Sequence, residues 1–102
     1  PEQIIILPIS EKFYTFANQV SDFLSQSNIR VSIDNRNEKI GKKIRDAEMK
    51  KIPYMAIIGE KEVNEECVSV RKHGSGDIGS FSIKDFSMKI QEELKTESEI
   101  QF

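Results

Sequence analysis

Hydrophobic positions change period several times along the 102 residues, and each change marks an element. The run IIILPI, Ile4 to Ile9, is continuously apolar, as expected for a strand buried on both faces. Ser10 can cap a helix, and from Glu11 to Ser27 the positions Phe13, Phe16, Ala17, Val20 and Leu24 recur at helical spacing, with Asn28 as the stop. IRVSID, Ile29 to Asp34, reads as a second strand. Between about Asn37 and Lys51, Ile40, Ile44 and Ala47 fall within a narrow arc at 100° per residue while Lys39, Lys43 and Lys50 cluster beside it, which predicts a helix ended by Pro53.

Beyond Pro53, YMAII is a third buried strand with Gly59 to turn on, followed by a charged connection with Glu60, Glu62, Glu65 and Glu66. CVSVR, Cys67 to Arg71, alternates like a strand with a more exposed face. HGSGD predicts a hairpin turn into a short strand near Ile78 to Phe81. Ser82 and Asp85 form a capping box for a last helix striped by Ile83, Phe86, Ile90 and Leu94, with Thr96 to Phe102 expected to fray. The order βαβαβ followed by ββα implies a parallel sheet with helices on both faces and one late antiparallel strand.

Length and composition fit one domain over residues 1–102, with no linker, repeat or low-complexity tract. Apolar residues make up 37% and charged residues 31%, and the formal net charge is −2, so any nucleic-acid site must be local. No stretch suits a membrane span or a signal peptide, which makes a cytoplasmic protein without a membrane partner the simplest expectation. Pro1 fits either loss of an initiator methionine or a segment cut from a longer chain.

Catalytic motifs are hard to find. The turn after the first strand, LPISEK, has neither GxGxxG nor GxxxxGK[ST] to bring backbone amides against a phosphate. The glycines of GSGDIG could form an anion nest, but no helix opens directly after them. Cys67, the sole cysteine, permits no internal disulfide and no Cys/His spacing for a metal. His73, the sole histidine, has no evident nucleophile beside it. DNRNEKIGKKIRDAEMKKIPYM stands apart, because its cations fall on a predicted helix beside the carboxyl ends of strands, the edge where open α/β sheets bind ligands.

RNEKIGKKIRDAEMKKIPYM, GEKEV and VSVR, in that order, closely resemble the carboxyl-terminal anticodon-binding domain of threonyl-tRNA synthetases, and the resemblance covers almost the whole chain. It implies a three-layer α/β/α fold on a five-stranded mixed sheet, mostly parallel with one antiparallel strand. It also implies a role in gripping the anticodon loop of tRNA(Thr). The family's base readers fall on Asn37, Glu62 and Arg71; Lys39 and Arg45 match basic positions of the same surface, Lys51 stands where relatives often carry arginine, and KHGSG departs from their more basic turn. With Lys43, these lysines and Arg45 would hold the RNA backbone. A carboxylate such as Glu62 suits guanine's N1–H and N2–H₂ edge, Asn37 suits uracil, and Arg71 can stack or donate.

By the same resemblance the parent is an ATP-dependent threonine–tRNA ligase, expected to be a homodimer, from which this domain looks excised. Its catalytic domain would be a partner of this one and would hold the ATP, Mg and Zn sites, with no cofactor expected here. Two other readings stay open: a free-standing relative of the domain that binds a protein, and a small α/β enzyme using His73 or Cys67.

Overall fold

The computed structural model describes residues 2–100, so Pro1, Gln101 and Phe102 lie outside the account of the fold. Among the described residues, strands β1 (Ile4–Pro8), β2 (Val31–Ile33), β3 (Tyr54–Ile58), β4 (Cys67–Lys72) and β5 (Gly76–Ser82) form one sheet in the order β2-β1-β3-β4-β5. β1 pairs in parallel with β2 and β3, while β4 is antiparallel to both β3 and β5, the mixed sheet expected. The helices are α1 (Tyr14–Ser25), which follows a 3₁₀ turn at Glu11–Phe13, α2 (Ile40–Met49), α3 (Glu60–Glu65) and α4 (Ile83–Ile100).

Strand alternation divides the core. Ile4, Ile6, Tyr54, Ala56, Ile58, Val68 and Val70 point to one face, where Ala17, Val20 and Leu24 of α1 and Phe86 and Ile90 of α4 cover them. Ile5, Leu7 and Met55 point the other way and meet Ala47 of α2 and Ile52. Among the described residues this second cluster takes nothing from β4 or β5, and the same face of β4 carries Ser69 and Arg71 beyond Cys67.

Several boundaries differ from the sequence pattern, each for a local reason. α2 begins at Ile40 and not at Asn37, because Asp34 Oδ1 accepts the Arg36 backbone N–H at 3.2 Å and closes a turn that competes with helix. Its end is set before Pro53: Lys51 takes a left-handed φ of 59°, its N–H donates to the Glu48 carbonyl at 3.0 Å, and the Ile52 N–H donates to the Ala47 carbonyl at 3.2 Å. That bonding is a Schellman motif, sealed by the Ile52–Ala47 contact. β1 stops at Pro8, which leaves Ile9 44% exposed where the sequence predicts burial. The charged connection 60–65 is helix α3, and α4 stays helical through the expected frayed region as far as Ile100.

The connection from β1 leads through α1 to β2 on one side, whereas the connection from β3 leads through α3 to β4 on the other. The carboxyl ends of β1 and β3 therefore flank the topological switch point, the usual ligand crevice of open α/β sheets.

Candidate nucleic-acid interface

Ile9, directly after β1, and Gly59, directly after β3, line that crevice. Ile9 is fixed by its backbone, whose N–H donates to the Ile58 carbonyl at 2.9 Å, while its side chain is left outside the core. Two concavities of about 360 and 800 Å³ adjoin here, and Ile9 and Asn37 line both. Asn37 is exposed in the loop between β2 and α2. A larger groove, of about 1000 Å³, lies away from this chemistry at the amino ends of the strands.

The cations of the second helix sort into four kinds. Arg36 and Lys42 are neutralised: Arg36 Nη2 lies 2.8 Å from Asp34 and 2.9 Å from Asp46, and Lys42 Nζ lies 3.2 Å from Asp46. The hydrogen bonds from Arg36 hold both carboxyls below the usual carboxylate range. Lys43 is only 1% exposed, and its ammonium donates to the Pro8 carbonyl at 3.0 Å and the Asp34 carbonyl at 3.1 Å. Burial pushes its pKa down. Lys43 thus ties the ends of β1 and β2 to α2, which corrects its expected place on an RNA-facing surface.

Lys39 and Arg45 form the third kind. Both are exposed, line the 800 Å³ concavity with Asn37, and make no ion pair among the described residues. Lys39 is the N-cap of α2 and supplies no side-chain cap, and with Gly41 of the first turn it lines this concavity, which places the positive dipole end of the helix beside it. Lys50 and Lys51 are the fourth kind. They follow the other end of α2, about 15 Å away, and line the distant groove with Arg30. The expected grouping of Lys51 with Lys39 and Arg45 is therefore not observed.

Glu62 is 9% exposed at the third position of α3. Its Oε1 accepts the Gly59 N–H and its Oε2 accepts the Ser69 hydroxyl, each at 2.8 Å. The carboxylate is thereby fixed across from β4 and is not a solvated member of a charge run. A carboxylate has about four acceptor positions, so about two remain, one on each oxygen. Arg71 lies two residues beyond Ser69 on the same face of β4, about 7 Å along the strand. Its Nε is buried and has no hydrogen-bond partner among the described residues. A bulge in the β4–β5 ladder falls at Val70/Arg71, where irregular pairing redirects side chains. Gly79 inside the β5 run is the sequence signal for this bulge, and Ile9, one residue past its strand, had no signal separating it from the core.

The two groups considered for catalysis do not meet. Cys67 and His73 are six residues apart along β4 and its turn, roughly 20 Å. Burial pushes the Cys67 thiol up, against thiolate formation, and His73 Nδ1 lies 2.9 Å from Glu48.

Residues 3–93 match the family model described as the anticodon binding domain. The chain is 56% identical to a threonine–tRNA ligase of Cytophaga hutchinsonii over 94 residues, 92% of this chain and 15% of that protein. Among solved structures it is similar to the RNA binding domain of threonyl-tRNA synthetase from Cryptosporidium parvum, with a TM-score of 0.82 at 31% identity, covering 87% of this chain and 22% of that one. It is also similar to prolyl-tRNA synthetase from the same organism, with a TM-score of 0.85 at 26% identity over 94% of this chain and 21% of that one.

Proposed function

The chain belongs to the anticodon-binding domain family, and from that premise we propose that it binds the anticodon loop of tRNA(Thr) as the specificity module of a threonine–tRNA ligase. The observation that carries the proposal is that Glu62, fixed by Gly59 and Ser69 with about two of its four acceptor positions used, and Arg71, whose Nε has no partner among the described residues, lie on the same side of β4. Sequence-specific RNA recognition mostly uses bases splayed from a loop and read on their Watson–Crick edges. Glu62 reads the middle anticodon base, guanine in every tRNA for the ACN codons, by accepting from N1–H and N2–H₂. Asn37, whose amide both donates and accepts, reads the uracil beside it.

Lys39, Arg45 and the amino end of α2 hold phosphates and set register without reading sequence. Local cations suffice for this, so a net charge of −2 is no obstacle. Lys43 and Lys51 make no such contact, the first buried and the second at the other end of the sheet.

The chain spans about 15% of the length of the ligases it matches. Threonine activation, the ATP, Mg and Zn sites and the homodimer contact are assigned to the rest of such a parent, whose catalytic domain is the partner in cis. The test is binding of the chain to tRNA(Thr) and to a tRNA carrying a different anticodon. Clear preference for tRNA(Thr) is expected. Equal binding would refute the anticodon role, and no binding to either would favour a protein-interaction module.

A further inference from the structure

Among the described residues, Ile9 is the strand-flanking apolar side chain at the switch point that the core does not cover. Its exposure cannot be relieved by a small backbone shift, because its N–H is committed to Ile58 and the preceding Pro8 is registered against Ile58. On one side its Cδ1 lies so close to Gly59 that a Cβ there would come within 2.9 Å of it and within 3.2 Å of Glu62 Oε1. On the other side it lines both concavities that hold Asn37. An apolar surface thus bridges the residue assigned to guanine and the residue assigned to uracil. The rim around it carries Glu38 beside Lys39 and Arg45, and these two cations make no ion pair among the described residues. That combination fits a flat heteroaromatic ring tethered to phosphate better than it fits an apolar peptide.

Resting on the proposed anticodon role, we infer that Ile9 is a further specificity-determining residue: its side chain packs against the face of the anticodon uracil whose edge Asn37 reads. A base splayed out of a loop loses its stacking neighbours, and edge hydrogen bonds alone leave its faces in water. A fixed aliphatic surface beneath the ring removes water from one face and restricts the ring to the plane of the Asn37 amide. Gly59 matters to the same arrangement, since any side chain there would push Ile9 off its position.

The test is a coupling measurement with an anticodon stem-loop of tRNA(Thr), intact or abasic at the uracil position, against wild type, Ile9→Ala and Ile9→Leu. Ile9→Ala should weaken binding to the intact loop roughly three- to tenfold, the order expected from losing burial of half an isoleucine side chain. Ile9→Leu should stay within about twofold of wild type, since it keeps the apolar volume. On the abasic loop all three should bind equally. Unchanged binding of Ile9→Ala to the intact loop, or an equal loss on the abasic loop, overturns the inference while leaving the anticodon role standing. A wild type that binds the intact loop no better than an unrelated hairpin overturns that role, and the inference with it.

Discussion

Lys39, the N-cap of α2, and Lys43, four residues on, face different surroundings, the first solvent and the second the carbonyls of Pro8 and Asp34. Lys43→Met should cost about 1–3 kcal/mol for each stranded carbonyl that water cannot reach, read as a lowered urea midpoint. Lys39→Ala should leave stability within about 0.5 kcal/mol and act on RNA binding alone. Similar destabilisation by both would contradict the sorting. Sequence spacing put both lysines on one polar flank, because helical angle does not reveal that a long side chain reaches over a strand end. Glu62 illustrates the same limit. A glycine cap hides the Ser/Thr-x-x-Glu pattern, so the third-position carboxylate looked like one charge in a run. Glu62→Gln should keep the fold within about 1 kcal/mol, since the Gly59 bond survives and the Ser69 hydroxyl can turn to accept. Glu62→Ala, which loses the cap, should cost about 0.5–2 kcal/mol in the same denaturation.

The loop that carries Asn37 is held by its own charges. Asp34 bonds Arg36 through side chain and backbone, and Arg36 reaches on to Asp46 of α2. Asp34's carboxyl is held below its ordinary value by the Arg36 bond, so its stabilising contribution is complete above about pH 4, the unfolded value. It is lost as pH falls through the lower folded value. Asp34→Asn should therefore melt below wild type at pH 7, and the gap should close on acidification; a gap unchanged down to about pH 2 would refute the latch. The periodic elements were legible: β1, β3 and α1 follow from apolar runs and a clean helical stripe. α3 was not, because its six residues offer one apolar anchor, Val63, which is too few to show a period. The start of α2 was misplaced because Asp34 and Arg36 outbid helix propensity with local bonds.

Across the whole molecule, the end of β3 joins Glu62 through Gly59, and Glu62 joins Ser69 on the face of β4 that also carries Arg71, the side of the sheet where the cluster under α2 takes no described residue of β4 or β5. The acidic total charge is compatible with RNA binding because Asp34 and Asp46 neutralise Arg36 and Lys42, while Lys39 and Arg45 make no ion pair among the described residues. Each of Lys39→Ala and Arg45→Ala should lower the slope of log K against log salt by roughly one, and Lys51→Ala should not change it. A slope altered by Lys51→Ala as much as by the others would move the interface to the far groove. The most direct measurement titrates wild type and Glu62→Gln with tRNA(Thr) anticodon stem-loops carrying guanine or adenine in the middle position. Wild type should prefer guanine by about 1–3 kcal/mol, the worth of a bidentate base contact. Glu62→Gln, which sets a donor against guanine's donors, should lose that preference. A mutant that still prefers guanine as strongly as wild type would contradict the account.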